Sequence, residues 1–211
     1  MRRLAPITIA VLCVLAIGVL PASRKPSAGP AAQRFVIVAE ESQVTYRVAE
    51  TLFRDGNRLN IAVGTTNTIH GEITVDRSTP RNSRVGTITI DISTFRTDST
   101  RRDRAIRERW LESARFPVAE FRPTSVEGLP ASYTEGQELP LRVTGELKVR
   151  GVVRPTTFDL SVVLAGETLR GRASAAVLMT DFGFDPPSIL GILRSENEVR
   201  LELRFIARPA T

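Results

Sequence analysis

Few residues in this 211-residue sequence are of the types that usually carry catalysis. His70 is the sole histidine and Cys13 the sole cysteine. Nucleophilic catalysis needs a nucleophile beside a base, and a zinc site needs several His, Cys or carboxylate ligands together. The sequence therefore argues against a Ser-His-Asp triad, a Cys-His pair, a CxxC redox pair and a His-rich metal site.

Carboxylates are the remaining candidates for chemistry, because two of them can act as acid and base at any separation in sequence. Asp181, which precedes Phe182 and Gly183, is the best single candidate. A turn residue that accepts hydrogen bonds from its own backbone is the simpler interpretation of Asp181. No glycine-rich phosphate loop or dinucleotide fingerprint is present. We predict that the protein is not an enzyme and has no metal site.

The chain is basic, with a formal net charge of +6, and its only lysines are Lys25 and Lys148. A basic balance can indicate nucleic acid or an anionic membrane as a partner. Here the arginines alternate with Asp and Glu along the chain, which favours a plain solvated surface. Aromatic residues make up only 6% and are not interleaved with basic ones, which argues against a nucleic-acid partner.

The N-terminus is predicted to direct export. Arg2 and Arg3 precede an apolar stretch at residues 4–20, and small residues follow it. This order is typical of a signal peptide, and the stretch is also just long enough to span a bilayer. We assign residues 1–23 to a signal peptide or membrane anchor, 24–33 to a linker and 34–208 to the folded domain. The predicted location is extracytoplasmic, periplasmic or secreted, with membrane association through residues 4–20 if that segment is retained.

Apolar and polar residues alternate along the rest of the chain, and this period of two predicts half-buried β-strands. The clearest runs are residues 44–48, 69–75, 88–92, 141–149, 158–162, 169–177 and 199–205, with weaker ones at 34–38 and 118–127. Such strands with short connections form either an antiparallel sandwich or an up-and-down barrel. The alternation by itself does not choose between them.

Residues 98–113 break this alternation and predict a helix. They contain no Gly or Pro, and Asp98 or Ser99 can cap the first turn. Ile106 and Trp110 share a face with Ala105, so a narrow apolar stripe can rest against the sheet. We expect this helix either to brace or plug the barrel or to act as a gate at its mouth.

Five short motifs, in the right order, resemble those of the YceI-like polyisoprenoid-binding domains. They are residues 42–48 (SQVTYRV), 71–76 (GEITVD), the run from Arg102 through Trp110 to Phe121, residues 143–155 (VTGELKVRGVVRP), and residues 181–183 (DFG). Each motif is weak alone, but together they cover about residues 34–207. The sequence departs from the family at Glu50, near which many members have a histidine, and at Thr180, where many have an arginine.

The resemblance implies an all-β fold, an extended antiparallel lipocalin-like β-barrel of about eight strands with one α-helix inserted near residues 98–113. It also implies that the lumen holds an isoprenoid quinone or another prenyl lipid, which is bound and not chemically changed. Two alternatives stay open: a carboxylate-dependent enzyme, and a fully packed structural or partner-binding barrel. The sequence leaves the oligomeric state undecided, with a homodimer among the options.

The apolar positions of the strands and of the helix are the candidate ligand contacts. We predict that the lumen is lined by Val44, Tyr46, Ile73, Ile88, Ile90, Ile106, Trp110, Phe121, Val143, Leu147, Phe158, Leu160, Gly171, Ala173, Ala175, Phe182, Leu201 and Leu203. Three of these residues, Gly171, Ala173 and Ala175, are small. They either leave room for a ligand or permit tight packing and bending of the barrel.

Overall fold

The computed structural model describes residues 32–53 and 56–210. The predicted signal peptide or anchor (residues 1–23), Cys13 and nearly all of the predicted linker (residues 24–33) lie outside these ranges. Within the described part, no helix has the length and apolar character needed to cross a membrane.

Antiparallel strands dominate the described chain, as alternation predicts. They are β1 (Gln33–Ile37), β2 (Gln43–Leu52), β3 (Arg58–Thr66), β4 (Ile69–His70), β5 (Glu72–Val75), β6 (Arg84–Val85), β7 (Ile88–Asp91), β8 (Val118–Glu127), β9 (Glu138–Val149), β10 (Val152–Ala165), β11 (Thr168–Leu178), β12 (Ser188–Ile189) and β13 (Leu193–Pro209). Short 3-10 turns follow several of them, at Ala39–Glu41, Pro80–Asn82, Ile92–Thr94 and Met179–Phe182.

These strands form one curled sheet in the order β4-β7-β8-β9-β10-β11-β13-β1-β5-β6. The long strand β13 pairs with β11 along one side. Along its other side it pairs first with β2, which leads to β3, and then with β1. This arrangement confirms the prediction of an all-β, antiparallel, barrel-like fold.

The strands are more numerous than the eight or so expected, for two physical reasons. Residues 69–75 split at Gly71, because Ile69 pairs with Ile90 of β7 whereas Ile73 pairs with Phe35 of β1. Strand β3 was not predicted because its outward residues include the exposed Leu59 and Ile61, so its sequence lacks the usual alternation.

The helix is shorter than predicted. The α-helix α1 spans Thr100–Ala105 and continues as one π-helical turn, Ile106–Trp110. Ser99 caps it, its hydroxyl accepting a hydrogen bond from the backbone N–H of Arg102 at 3.3 Å. Asp103 is buried and accepts hydrogen bonds from the backbone N–H and the hydroxyl of Thr97, at 2.9 and 2.7 Å. These bonds fix the helix against the segment that leads into it.

Two aromatic rings lie flat against the inner wall over glycines of neighbouring strands. A Cβ atom on Gly64 would lie 2.1 Å from the ring of Tyr46, and one on Gly171 would lie 2.5 Å from the ring of Phe205. Each glycine is the cross-strand partner of the aromatic residue. The missing side chains therefore let two large rings pack along the wall instead of across the interior.

Candidate ligand-binding cavity

An apolar cavity of about 200 Å³ lies inside the curled sheet, and we call it the central cavity. Its walls are side chains from β1, β2, β5 to β11 and β13, together with the 3-10 turn Met179–Phe182. Fourteen of the residues predicted from sequence to face the lumen line it: Val44, Tyr46, Ile73, Ile88, Ile90, Phe121, Val143, Leu147, Phe158, Leu160, Ala173, Phe182, Leu201 and Leu203.

Two further cavities adjoin the central one. The mouth cavity, of about 270 Å³, lies beside α1 and shares Tyr46, Leu111 and Met179 with the central cavity. The distal cavity, of about 80 Å³, lies on the other side and shares Leu160 and Phe205. The three therefore follow one another along the interior, and together they fall within the range of about 300–1,000 Å³ for small-molecule sites.

The remaining four predicted lumen residues divide into two pairs. Ile106 and Trp110 line the mouth cavity, so the helix borders the same elongated interior. Gly171 and Ala175 line none of the three cavities. The Phe205 ring occupies the space beside Gly171, so the structure favours close packing over room for a ligand at this position.

Several cavity residues come from turns, where alternation gives no signal. Phe95, Leu111, Met179 and Phe184 all line the central cavity from outside the strands. Phe95 meets Tyr46 edge to face, with 5.0 Å between the ring centroids. A period-two pattern identifies inward positions only within a strand, so only the folded chain reveals these residues.

The Tyr46 hydroxyl is the unusual polar atom of the central cavity. It is buried and has no hydrogen-bond partner among the described residues. Burial raises the pKa of Tyr46 above its ordinary value, so the hydroxyl stays protonated. An unsatisfied buried hydroxyl costs free energy, and it can donate to a carbonyl or accept from a hydroxyl of a bound molecule.

A buried ion pair lies in the wall of the mouth cavity. The Glu50 side chain is only 3% exposed, and its Oε1 accepts hydrogen bonds from Asn60 Nδ2 at 2.8 Å and Arg102 Nη2 at 2.9 Å. Arg102 also contacts Asp98. Arg102 thus neutralises the charge of Glu50, which lies near the position at which many members of the family have a histidine. Because Glu50 and Arg102 neutralise each other, this part of the cavity wall carries no unpaired charge.

The residues considered for catalysis lie apart from these cavities. His70 is exposed on β4, and Asp181 is exposed in the 3-10 turn Met179–Phe182. Neither lines the central, mouth or distal cavity. Among residues 32–53 and 56–210, no group of three His, Cys, Asp or Glu side chains could hold a metal ion.

Comparisons with known proteins agree on one family. The model of the YceI-like domain matches residues 35–207. Protein YceI of Escherichia coli O6:H1 is 31% identical over 105 residues, and that of Salmonella arizonae is 32% identical over 105 residues. Each match covers 49% of this chain, which spans about half (50%) the length of these relatives.

Solved structures show the same fold at low sequence identity. BcnA of Burkholderia cenocepacia superposes with a TM-score of 0.62 at 17% identity, over 83% of this chain and 99% of that one. A polyisoprenoid binding domain from Saccharophagus degradans, implicated in plant cell wall breakdown, gives a TM-score of 0.61 at 12% identity, over 84% and 99% of the two chains.

Proposed function

This chain belongs to the YceI-like domain family, and we propose that it binds, stores or carries an apolar isoprenoid or another lipid outside the cytoplasm without changing it chemically. The observation that carries the proposal is the row of apolar cavities along the inside of the barrel. The similar structure from Saccharophagus degradans is of a polyisoprenoid binding domain, which supports the same class of ligand.

The shape of the interior suits a slender ligand. The central cavity shares wall residues with the larger mouth cavity and with the smaller distal one. A row of adjoining apolar spaces fits an extended prenyl chain better than a compact molecule. A fully packed barrel, the structural alternative, would leave no such row of cavities.

Burial of hydrocarbon supplies the affinity in this proposal. Each buried CH₂ group contributes about 0.8 kcal/mol before the costs of association. The realised value for large ligands is nearer 0.3 kcal/mol per heavy atom. A prenyl chain of tens of carbons would therefore be held tightly by apolar walls alone, with no catalytic group.

The polar part of the ligand would meet Tyr46. Tyr46 lines both the central and the mouth cavity, and its buried hydroxyl has no partner among the described residues. A quinone carbonyl or a prenol hydroxyl beside it would complete its hydrogen bonding. In this proposal the head of the ligand lies towards the mouth and its tail towards the distal cavity.

The N-terminal sequence supports action outside the cytoplasm. Arg2 and Arg3 followed by the apolar residues 4–20 have the order of an export signal. Lipids that must cross an aqueous compartment need a protein that shields their chains, so an exported carrier is consistent with an apolar interior.

The test is to purify the full-length protein, extract it with solvent and identify the released lipid by mass spectrometry. We expect a prenyl lipid in about equimolar amount. We also expect Ala173→Phe to reduce the retained lipid severalfold, because Ala173 lines the central cavity and a phenyl ring would fill it.

Ala176→Phe is the matched control. It makes the same substitution three residues along β11 at an exposed position, so retention should be unchanged. Folding of both variants is checked by circular dichroism. Wild-type protein that releases no lipid and takes none up when mixed with ubiquinone would contradict the proposal, as would equal retention by the two variants.

A further inference from the structure

Exposed apolar side chains concentrate at one end of the barrel. Eight large ones are exposed in the described part: Val36, Phe53, Leu59, Ile61, Val118, Val153, Leu178 and Leu190. All except Val36 lie in or beside the mouth-side halves of their strands, and Phe53, Leu59, Leu178 and Leu190 lie where β2, β3, β11 and β13 begin or end. We call this surface the apolar rim.

The most prominent part of the rim is formed by two adjoining hairpins. Leu59, which is 81% exposed, lies on the β2–β3 hairpin, and Leu190, which is 99% exposed, lies on the β12–β13 hairpin. The backbone N–H of Phe53 donates to the carbonyl of Ile192 at 2.9 Å, so the two hairpins are in direct contact. Side chains this apolar are rarely left clustered in water unless they have a partner.

The rim is continuous with the opening of the mouth cavity. Ile189, Ile192 and Leu193 of the second hairpin line that cavity, opposite Ile106 and Trp110 of the helical segment. The hydrocarbon chain of a ligand that leaves the cavity here would pass from one apolar surface directly onto another. The partner that binds the apolar rim must therefore be able to take up a hydrocarbon ligand.

Exposed arginines lie among or directly beside, in sequence, the residues that line the same opening. Arg101, Arg104 and Arg194 are exposed, and none of them forms an ion pair with a carboxylate of the described residues. Arg101 also lines the mouth cavity. Apolar side chains ringed by cationic ones are suited to the interface of an anionic bilayer, where each basic residue contributes about 1 kcal/mol.

We propose that the apolar rim and the arginines around the mouth dock the barrel onto an anionic lipid membrane, so that the ligand passes between bilayer and cavity without entering water. This inference rests on the proposed function for the role of the cavity. Gln33, where the described strands begin, lies near the opposite end of the barrel from Leu193.

Trp110 makes a local test possible, because it is the one tryptophan of the chain and lines the mouth cavity. Full-length protein is mixed with vesicles of phosphatidylcholine that carry brominated chains, with or without phosphatidylglycerol. We expect strong quenching of Trp110 fluorescence only with phosphatidylglycerol. Uptake of a brominated lipid into the cavity would quench equally in both vesicles, and binding through residues 4–20 alone would leave Trp110 unquenched.

Two pairs of variants test whether vesicle binding depends on residues at the mouth or on residues elsewhere on the surface. Arg101→Gln with Arg104→Gln should weaken the apparent binding roughly 30-fold, about 1 kcal/mol for each arginine. Arg81→Gln with Arg84→Gln removes the same charge at exposed sites near the distal cavity and should change it little. Leu190→Ser should also weaken quenching, whereas Val36→Ser should not.

Three results would overturn the docking proposal. They are equal quenching in both vesicle types, equal effects of mouth and distal variants, and a Leu190-dependent dimer in the absence of vesicles. Lipid released from the same preparations is identified by mass spectrometry. Bound prenyl lipid without Trp110 quenching would refute docking alone, whereas quenching by protein that neither releases lipid nor takes up ubiquinone would refute the carrier function and leave docking standing.

Discussion

Tyr46 carries a buried hydroxyl that costs the folded protein stability. Its ring packs over Gly64 and against Phe95, but its hydroxyl has no partner among the described residues. The other tyrosine, Tyr133, donates its hydroxyl to the carbonyl of Leu164. The hydroxyl of Tyr133 therefore has a hydrogen-bond partner in the folded chain, whereas that of Tyr46 has none among the described residues.

We predict that Tyr46→Phe stabilises the lipid-free protein by about 1 kcal/mol, because the change removes an unsatisfied buried hydroxyl. The same change should lower the retention of prenols and quinones, whose oxygen atoms lose a partner, but not that of a prenyl hydrocarbon. Urea unfolding and competition between these lipids measure the two effects. Tyr133→Phe is the control, and it should instead destabilise the protein. A loss of stability in Tyr46→Phe would show that its hydroxyl is satisfied in solution.

At the level of elements, Arg150 joins three pieces of chain near the mouth end. It lies in the turn between β9 and β10, pairs with Glu112 after the helical segment, and donates to the carbonyl of Gly183 at 3.0 Å. Its guanidinium also lies over the Phe184 ring, 5.1 Å from the centroid. The φ angles of Arg150 and Glu112 are +51° and +48°, a left-handed backbone that side chains seldom adopt. The turn, the helix end and the loop after the 3-10 turn are therefore held together by one side chain.

Arg150→Asn should release these elements from one another. Asparagine tolerates the left-handed backbone, so the effect reports the lost side-chain contacts and not backbone strain. We expect a loss of about 2 kcal/mol in stability, because hydrogen bonds to charged groups are lost. Amide hydrogen exchange should become faster at residues 111–116 and 183–187. Arg142→Asn, which breaks an exposed pair with Asp159, should leave exchange in both segments unchanged; faster exchange there in both variants would contradict a specific role for Arg150.

For the whole molecule, the ligand should act as part of the core. A lipid that binds the folded state but not the unfolded chain stabilises the protein by about 2.7 kcal/mol at 100 times its Kd. We predict that solvent-extracted, refolded protein melts at a lower temperature than protein as purified, and that added prenyl lipid restores the difference. Ala173→Phe should melt at the same temperature before and after extraction. An unchanged melting temperature in the wild type would mean that the cavities are empty in the purified protein.

The distribution of surface residues is also a property of the whole molecule. In the sequence the arginines alternate with acidic residues, which favours an evenly solvated surface. The fold instead brings the exposed Arg101 into the lining of the mouth cavity, whose wall also includes Ile189 and Ile192 beside the exposed Leu190. Residues distant in sequence become neighbours there because β2, β13 and the helical segment end at the same side of the sheet.

Alternation along the strands was sufficient to predict which faces turn inward. Val44, Tyr46, Leu201 and Leu203 all line the central cavity, as their spacing indicates. The reason is local, because successive side chains of any strand point to opposite faces. The motifs at residues 42–48, 71–76, 143–155 and 181–183 likewise identified the family without reference to the structure.

The amino-acid sequence by itself therefore determined the all-β class, the inward-facing side of each predicted strand and the family. Only the tertiary structure decided where cavities remain inside the barrel, because the unfilled volume depends on which side chains pack against each other across neighbouring strands. Gly171 illustrates the difference: its small size suggested room for a ligand, but Phe205 packs against it from the next strand. The turn residue Phe95, the satisfied pair of Glu50 and Arg102 and the unpartnered hydroxyl of Tyr46 likewise depend on contacts that no local pattern encodes.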